Sequence, residues 1–177
     1  MKYLITLLFL VLSSVLSAQP KLNVVYSTED AVKVGEEFTA YIFLENVTEE
    51  YAFASLTMWF YYDAAIMKLM EHSFDKSIIP DLGSPFFSES YNKKIKKEAD
   101  FETAAKVNVG FYRASKVVKN GLLLSLKMKA IKAGKPEFRF TYAEIGSFEF
   151  KTVDGSIVSN PLEILGNNIE QLRIKKQ

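Results

Sequence analysis

The chain has no cysteine and one histidine in 177 residues, and those two shortages remove much of the usual enzyme chemistry. Without thiols no disulfide can form, and no lipid can be attached to a cysteine after export. Zinc takes three or four nitrogen or sulfur ligands, a set that His72 alone cannot supply. A nucleophile–histidine–carboxylate triad would also have to use His72. No nucleophile motif lies beside it, so a surface or strand-end histidine is the simpler reading. No glycine-rich phosphate loop occurs, and no Asp-x-Asp-x-Asp-Gly calcium loop. Asp30, Asp63 and Asp154 fall at turns, where aspartate more commonly caps the backbone than binds calcium. Two facing carboxylates, as glycosidases use, stay open among the 21 acidic residues. The expectation is a non-enzyme with no metal and no cofactor.

An excess of either charge is missing too: 22 Lys and Arg stand against 21 Asp and Glu. A near-neutral protein has no long-range pull toward nucleic acid or anionic membrane, so nucleic-acid binding is disfavoured. Long hydrophobic runs are confined to the start. Met1-Lys2, an apolar run over residues 3–12 and small residues up to Ala18 have the parts of a secretory signal peptide. The run is too short for a spanning helix, although an uncleaved anchor is the alternative. The division expected is a signal peptide over 1–18, one domain over 19–160, and a tail or edge element over 161–177. The protein would then be exported, periplasmic or extracellular, and monomeric, with no membrane span once the leader is removed. No internal repeat or low-complexity segment is present.

What the chain has in quantity is aromatic and β-branched residues, with 14 Phe and 9 Tyr. These suit strands and sandwich cores, and a domain without crosslinks must be held by such packing alone. Residues 22–26 read as a strand. Phe38, Ala40, Ile42 and Leu44 alternate in a second, which the asparagine turn at Asn46 ends. In residues 53–62, Leu56, Met58, Phe60 and Tyr62 fall on one side of a strand, and Thr57, Trp59 and Tyr61 on the other. A Tyr-Asp corner follows, and the helix formers from Ala64 to Glu71 predict one helical turn passing into a strand. Pro80, Gly83 and Pro85 bracket a loop before a strand over 86–92. Residues 93–106, KKIKKEADFETAAK, read as a solvated excursion with room for a short helix. Further strands lie at 107–112, 122–130, 137–142, 145–153 and 156–158. About nine short strands with turns between them predict an all-β, two-sheet antiparallel sandwich.

Four segments together resemble the cohesin family. They are Val34-Gly35-Glu36-Glu37-Phe38 running into Asn46-Val47; Met58-Trp59-Phe60-Tyr61-Tyr62-Asp63 with Ile66 and Leu69; Val107-Asn108-Val109-Gly110-Phe111; and the glycine-led strand from Gly121 to Ala130, followed by Gly134. The likeness runs from Leu22 to Val158. It departs from the family where Ala64 replaces the usual proline, and in the aromatic outer face of residues 53–62. The resemblance implies jelly-roll topology for the sandwich, and a cohesin-like module that catalyses nothing and docks a protein partner, a dockerin in that family, through a flat sheet face. It also sets strands 53–62, 86–92 and 107–112 side by side on that face. The outward, partner-binding residues would be Thr57, Trp59, Tyr61, Ser88, Ser90, Asn108 and Tyr112, with Arg113 at the rim. Exposed aromatics on a rigid sheet suit a protein partner and a polysaccharide alike. Carbohydrate binding on the same scaffold, or a place in an envelope, secretion or pilus assembly, are the alternatives. Folding of residues 93–106 over the aromatics would close the face.

Overall fold

The computed structural model describes residues 20–28, 31–49, 51–76, 78, 85–91, 101, 103–148, 157–161 and 163–164. The leader, Asp30, Asp154, most of the 93–106 stretch in which a short helix had room, and the end of the chain lie outside the described residues. Among those described, no helix is long and apolar enough to cross a membrane.

Among the described residues ten strands form, in chain order: β1 Lys21–Tyr26, β2 Glu37–Glu45, β3 Phe53–Asp63, β4 Met67–Phe74, β5 Phe86–Tyr91, β6 Ala104–Val117, β7 Gly121–Ala130, β8 Phe138–Phe148, β9 Ile157–Pro161 and the two-residue β10 Glu163–Ile164. One sheet has the order β10-β1-β2-β7-β4 and the other β5-β6-β3-β8-β9. Every pairing is antiparallel except β1 with β10. From β2 to β3, β3 to β4, β4 to β5, β6 to β7 and β7 to β8 the chain crosses between sheets. That connectivity makes the sandwich a jelly roll, as the cohesin resemblance implies.

Period-two alternation decides which side chains meet between the sheets. β1 turns Leu22, Val24 and Tyr26 inward, β2 Phe38, Ala40, Ile42 and Leu44, and β3 Leu56, Met58, Phe60 and Tyr62. From the far strands, Val107, Val109, Leu124, Leu126 and Met128 complete one continuous core. Phe60 sits near its middle, with Phe140 at 5.1 Å and Phe138 edge-on at 5.9 Å between ring centroids. Burying each such side chain contributes about 1.5–3 kcal/mol, which is how the sandwich holds without a crosslink.

The helical turn expected at Ala64 does not form. Ile66 N–H donates to the Asp63 carbonyl at 3.1 Å and Ala65 N–H to Asp63 Oδ1 at 2.9 Å, a tight turn capped by the aspartate. Met67 already pairs with Ala130 of β7. A single isolated helical turn pays a nucleation cost that this strand pairing avoids. The second strand ends as the sequence implies, because Asn46 takes up a left-handed conformation with φ 60°. The side chain of Asn120 then receives Val47 N–H at 2.7 Å.

Candidate functional site

The outer face of β5-β6-β3-β8 is built in cross-strand rows. In the first, Ser88, Asn108, Trp59 and Tyr142 stand opposite one another; in the second, Phe86, Gly110, Thr57 and Glu144 do so. Tyr112 and Ser55 begin a third row on one side, and Ser90, Lys106, Tyr61 and Arg139 form a row on the other. Directly opposed residues of antiparallel strands share a face, so these rows describe one surface.

Trp59 keeps 40% of its surface exposed and packs against Tyr142, ring centroids 4.7 Å apart. From the strand on the opposite flank, Lys106 Nζ lies 4.8 Å from the Trp59 ring and 5.6 Å from that of Tyr61. Asn108 donates from Nδ2 to Ser88 Oγ at 3.2 Å. Arg139 lies over the Phe101 ring at 4.6 Å and pairs through Nε with Glu137 at 2.8 Å. Phe86 and Tyr112 are more than half exposed.

The six positions Thr57, Trp59, Ser88, Ser90, Asn108 and Tyr112 stand together on this face. Tyr61 is on the same side of β3 but is buried, because Phe101 and Ala104 fold over it. Its expected exposure is therefore wrong: the closing segment covers this one aromatic and leaves Trp59 open. Arg113 lies within β6, and its side chain is outside the described residues.

The face also holds residues that alternation does not place there. Phe138 and Phe140 pack toward the core, and continued alternation would send Tyr142 inward with them. A register shift between Trp59 and Phe60 in the β3–β8 pairing inserts Thr141 and turns Tyr142 outward beside Trp59. Lys106 belongs to β6 rather than to the excursion before it, since β3 pairing extends to Asp63 opposite Ala104. Phe86 shares the parity of Ser88 and Ser90, so the sequence did carry its signal.

Edge strand β5 carries Phe86 and Ser88, and its inward side chains tie it to the body. Phe87 stacks on His72 of β4 at 3.7 Å with the rings nearly parallel. Glu89 accepts a hydrogen bond from the buried Tyr62 hydroxyl, and another from Tyr91 at 2.7 Å. The two tyrosine hydroxyls are 2.9 Å apart. Burial first, and then the Glu89 hydrogen bond, raise the Tyr62 hydroxyl far above the ordinary tyrosine value. Desolvation lowers the pKa of His72, opposed by the charges of Glu71 and Glu89. An inward-facing carboxylate on an edge strand also discourages edge-to-edge pairing. Among the described residues, no group of three or more metal-ligating side chains gathers.

No family model matches the chain, and no curated protein matches it in sequence. Solved structures do. A cohesin module from a Clostridium perfringens family 33 glycoside hydrolase superposes with TM-score 0.57 at 16% identity, covering 90% of this chain and 98% of that one. The cohesin of a type I cohesin–dockerin complex from Clostridium thermocellum gives 0.54 at 14%, covering 89% and 95%. The sixth cohesin of Acetivibrio cellulolyticus scaffoldin B, solved with a dockerin, gives 0.52 at 11%, covering 89% and 99%. At these identities the likeness concerns the fold, and the fold is cohesin-like.

Proposed function

We propose that this chain is an exported, non-catalytic cohesin-like module that docks a protein partner through the β5-β6-β3-β8 face. The observation that carries the reading is the cluster of Trp59, Phe86 and Tyr112, exposed together on one sheet face. Rigid aromatic anchors of this kind dominate protein interfaces. Two of the structural neighbours, from C. thermocellum and A. cellulolyticus, are solved in complex with dockerins, which supports a partner of the same general kind. A polysaccharide-related or cell-envelope assembly is the setting this reading favours, on the outer side of the cytoplasmic membrane.

The same aromatics fit a sugar platform less well. Stacking on a pyranose ring needs an open ring face, and the Trp59 indole has Tyr142 on one flank and the Lys106 ammonium on the other. Migration through gels containing soluble glucans should therefore be unretarded.

The test is photo-cross-linking in the producing cells. A photoreactive phenylalanine replaces Phe86 or Tyr112 on this face, or Tyr41 on the opposite sheet. Discrete protein adducts are expected from the first two positions, weakened by Trp59→Ala, and none from the third. Adducts only from Tyr41, or none from any position, would overturn the docking face.

A further inference from the structure

Gly110 lies in the middle of β6, where glycine is costly: it packs no side chain and loses the most backbone freedom on folding. Nothing local requires it. Its φ is not in the left-handed region, where the described glycines are Gly35 and Gly121. A Cβ built at Gly110 would meet only the Leu56 carbonyl at 3.6 Å and Thr57 Oγ1 at 3.8 Å, both ordinary contacts. By contrast, a Cβ at Gly134 would lie 2.7 Å from Ile66 Cδ1. The missing side chain at Gly110 therefore serves neither the backbone nor the core. Its effect is on the outer surface.

That surface is walled by the large exposed side chains of the face. Phe86 stands directly opposite Gly110 on β5. Tyr112 is two residues along on the same side of β6, and Trp59 stands opposite Asn108, two residues the other way. These three are 58%, 52% and 40% exposed, and among the described residues Gly110, Thr57 and Ser55 lie between them. Small residues between exposed aromatics leave room over Gly110, where an added Cβ makes only ordinary contacts with the described residues. Along the face, Lys106 and Arg139 share one row, Arg139 already engages Glu137, and Glu144 stands two rows from Lys106 at the register position opposite Thr57.

We propose that the space over Gly110 is the receptor hole of the docking face. It takes one aliphatic side chain from a protein partner whose flanking residues are acidic and meet Lys106. The proposal rests on the docking face described above and adds the chemistry of the partner. Lys106 supplies the charge complementarity, and its ammonium is already held against aromatic rings, which limits the entropy lost on pairing.

The probe is a display library of three-helix-bundle scaffolds with one helix face randomised, selected on the intact protein. Selected binders should be enriched in Leu, Ile or Met beside Asp or Glu. Gly110→Leu should weaken them at least tenfold without lowering Tm, and Lys106→Glu should weaken them several-fold and remove their salt dependence. Binders that lose affinity with Trp59→Ala but are indifferent to Gly110→Leu would overturn the hole and leave the docking face standing. Binders indifferent to both, and lost with Tyr41→Ala, would overturn both readings.

Discussion

Tyr62→Phe removes one oxygen at the seam where edge strand β5 is tied to the body of the sandwich. Tyr62 is 1% exposed, and its hydroxyl donates to Glu89, lies 2.9 Å from the Tyr91 hydroxyl and is reached by Leu69 N–H at 3.4 Å. A hydrogen bond to a charged acceptor contributes about 1.5–3 kcal/mol. Glu89 keeps its 2.7 Å bond from Tyr91, so no bare carboxylate is left and the loss should stay near 2 kcal/mol. For a domain of this size that lowers Tm by roughly 4–8 °C. The pH dependence tests the cause. Folding holds Tyr62 protonated above the ordinary tyrosine value of 10.0, so its contribution is full below pH 10 and falls as the unfolded chain ionises above it. Phenylalanine has no such titration. The wild-type advantage should therefore narrow by about 1.4 kcal/mol at pH 11. Urea unfolding of both proteins at pH 8, 10 and 11 reads this directly. A variant as stable as wild type, or a gap unchanged up to pH 11, would refute the account of the seam.

Tyr26 gives the opposite expectation: its buried hydroxyl has no hydrogen-bond partner among the described residues, so Tyr26→Phe should stabilise by about 1 kcal/mol in the same assay, and a loss would show that the hydroxyl is satisfied. Phe60→Ala empties the centre of the core and should cost about 3–5 kcal/mol by urea unfolding; a cost below 1 would mean that the sheets collapse onto the space. Phe101→Ala should uncover Tyr61, so that tetranitromethane, which in the wild type should modify the exposed Tyr91 and Tyr112, also nitrates Tyr61 in the variant; protection of Tyr61 in both proteins would contradict the cover. Because His72 has a lowered pKa in the fold, its contribution is full above 6.5 and is lost as pH falls through the lower folded value. His72→Phe should remove that part of the acid destabilisation, and identical stability profiles from pH 7 to 4 would exclude it.

Alternation made most of the architecture legible. Residues 38–44, 53–62 and 122–130 each state which side faces the core, because one face of each of these strands is buried and a slip of one residue would invert it. The same parity, with the side-by-side strands that the cohesin resemblance implied, placed Thr57, Trp59, Ser88, Asn108 and Tyr112 on a common surface. Asn46 and Asp63 were legible for a different reason, since their side chains suit the left-handed corner and the capped turn where they stand. The region after Asp63 misled because strong helix formers there are overruled by pairing with a strand sixty residues away, which no local propensity contains.

The order of apolar and polar residues by itself determined that this chain makes a two-sheet sandwich with an aromatic outer strand, because burial of one face is written in every second residue. Only the tertiary structure decided which aromatics stay open. The bulge at Thr141 turns Tyr142 toward Trp59, and Phe101 closes over Tyr61. A bulge arises from the fit between two strands, and a cover from a segment distant in sequence. Both are relations between parts of the chain that meet only after folding.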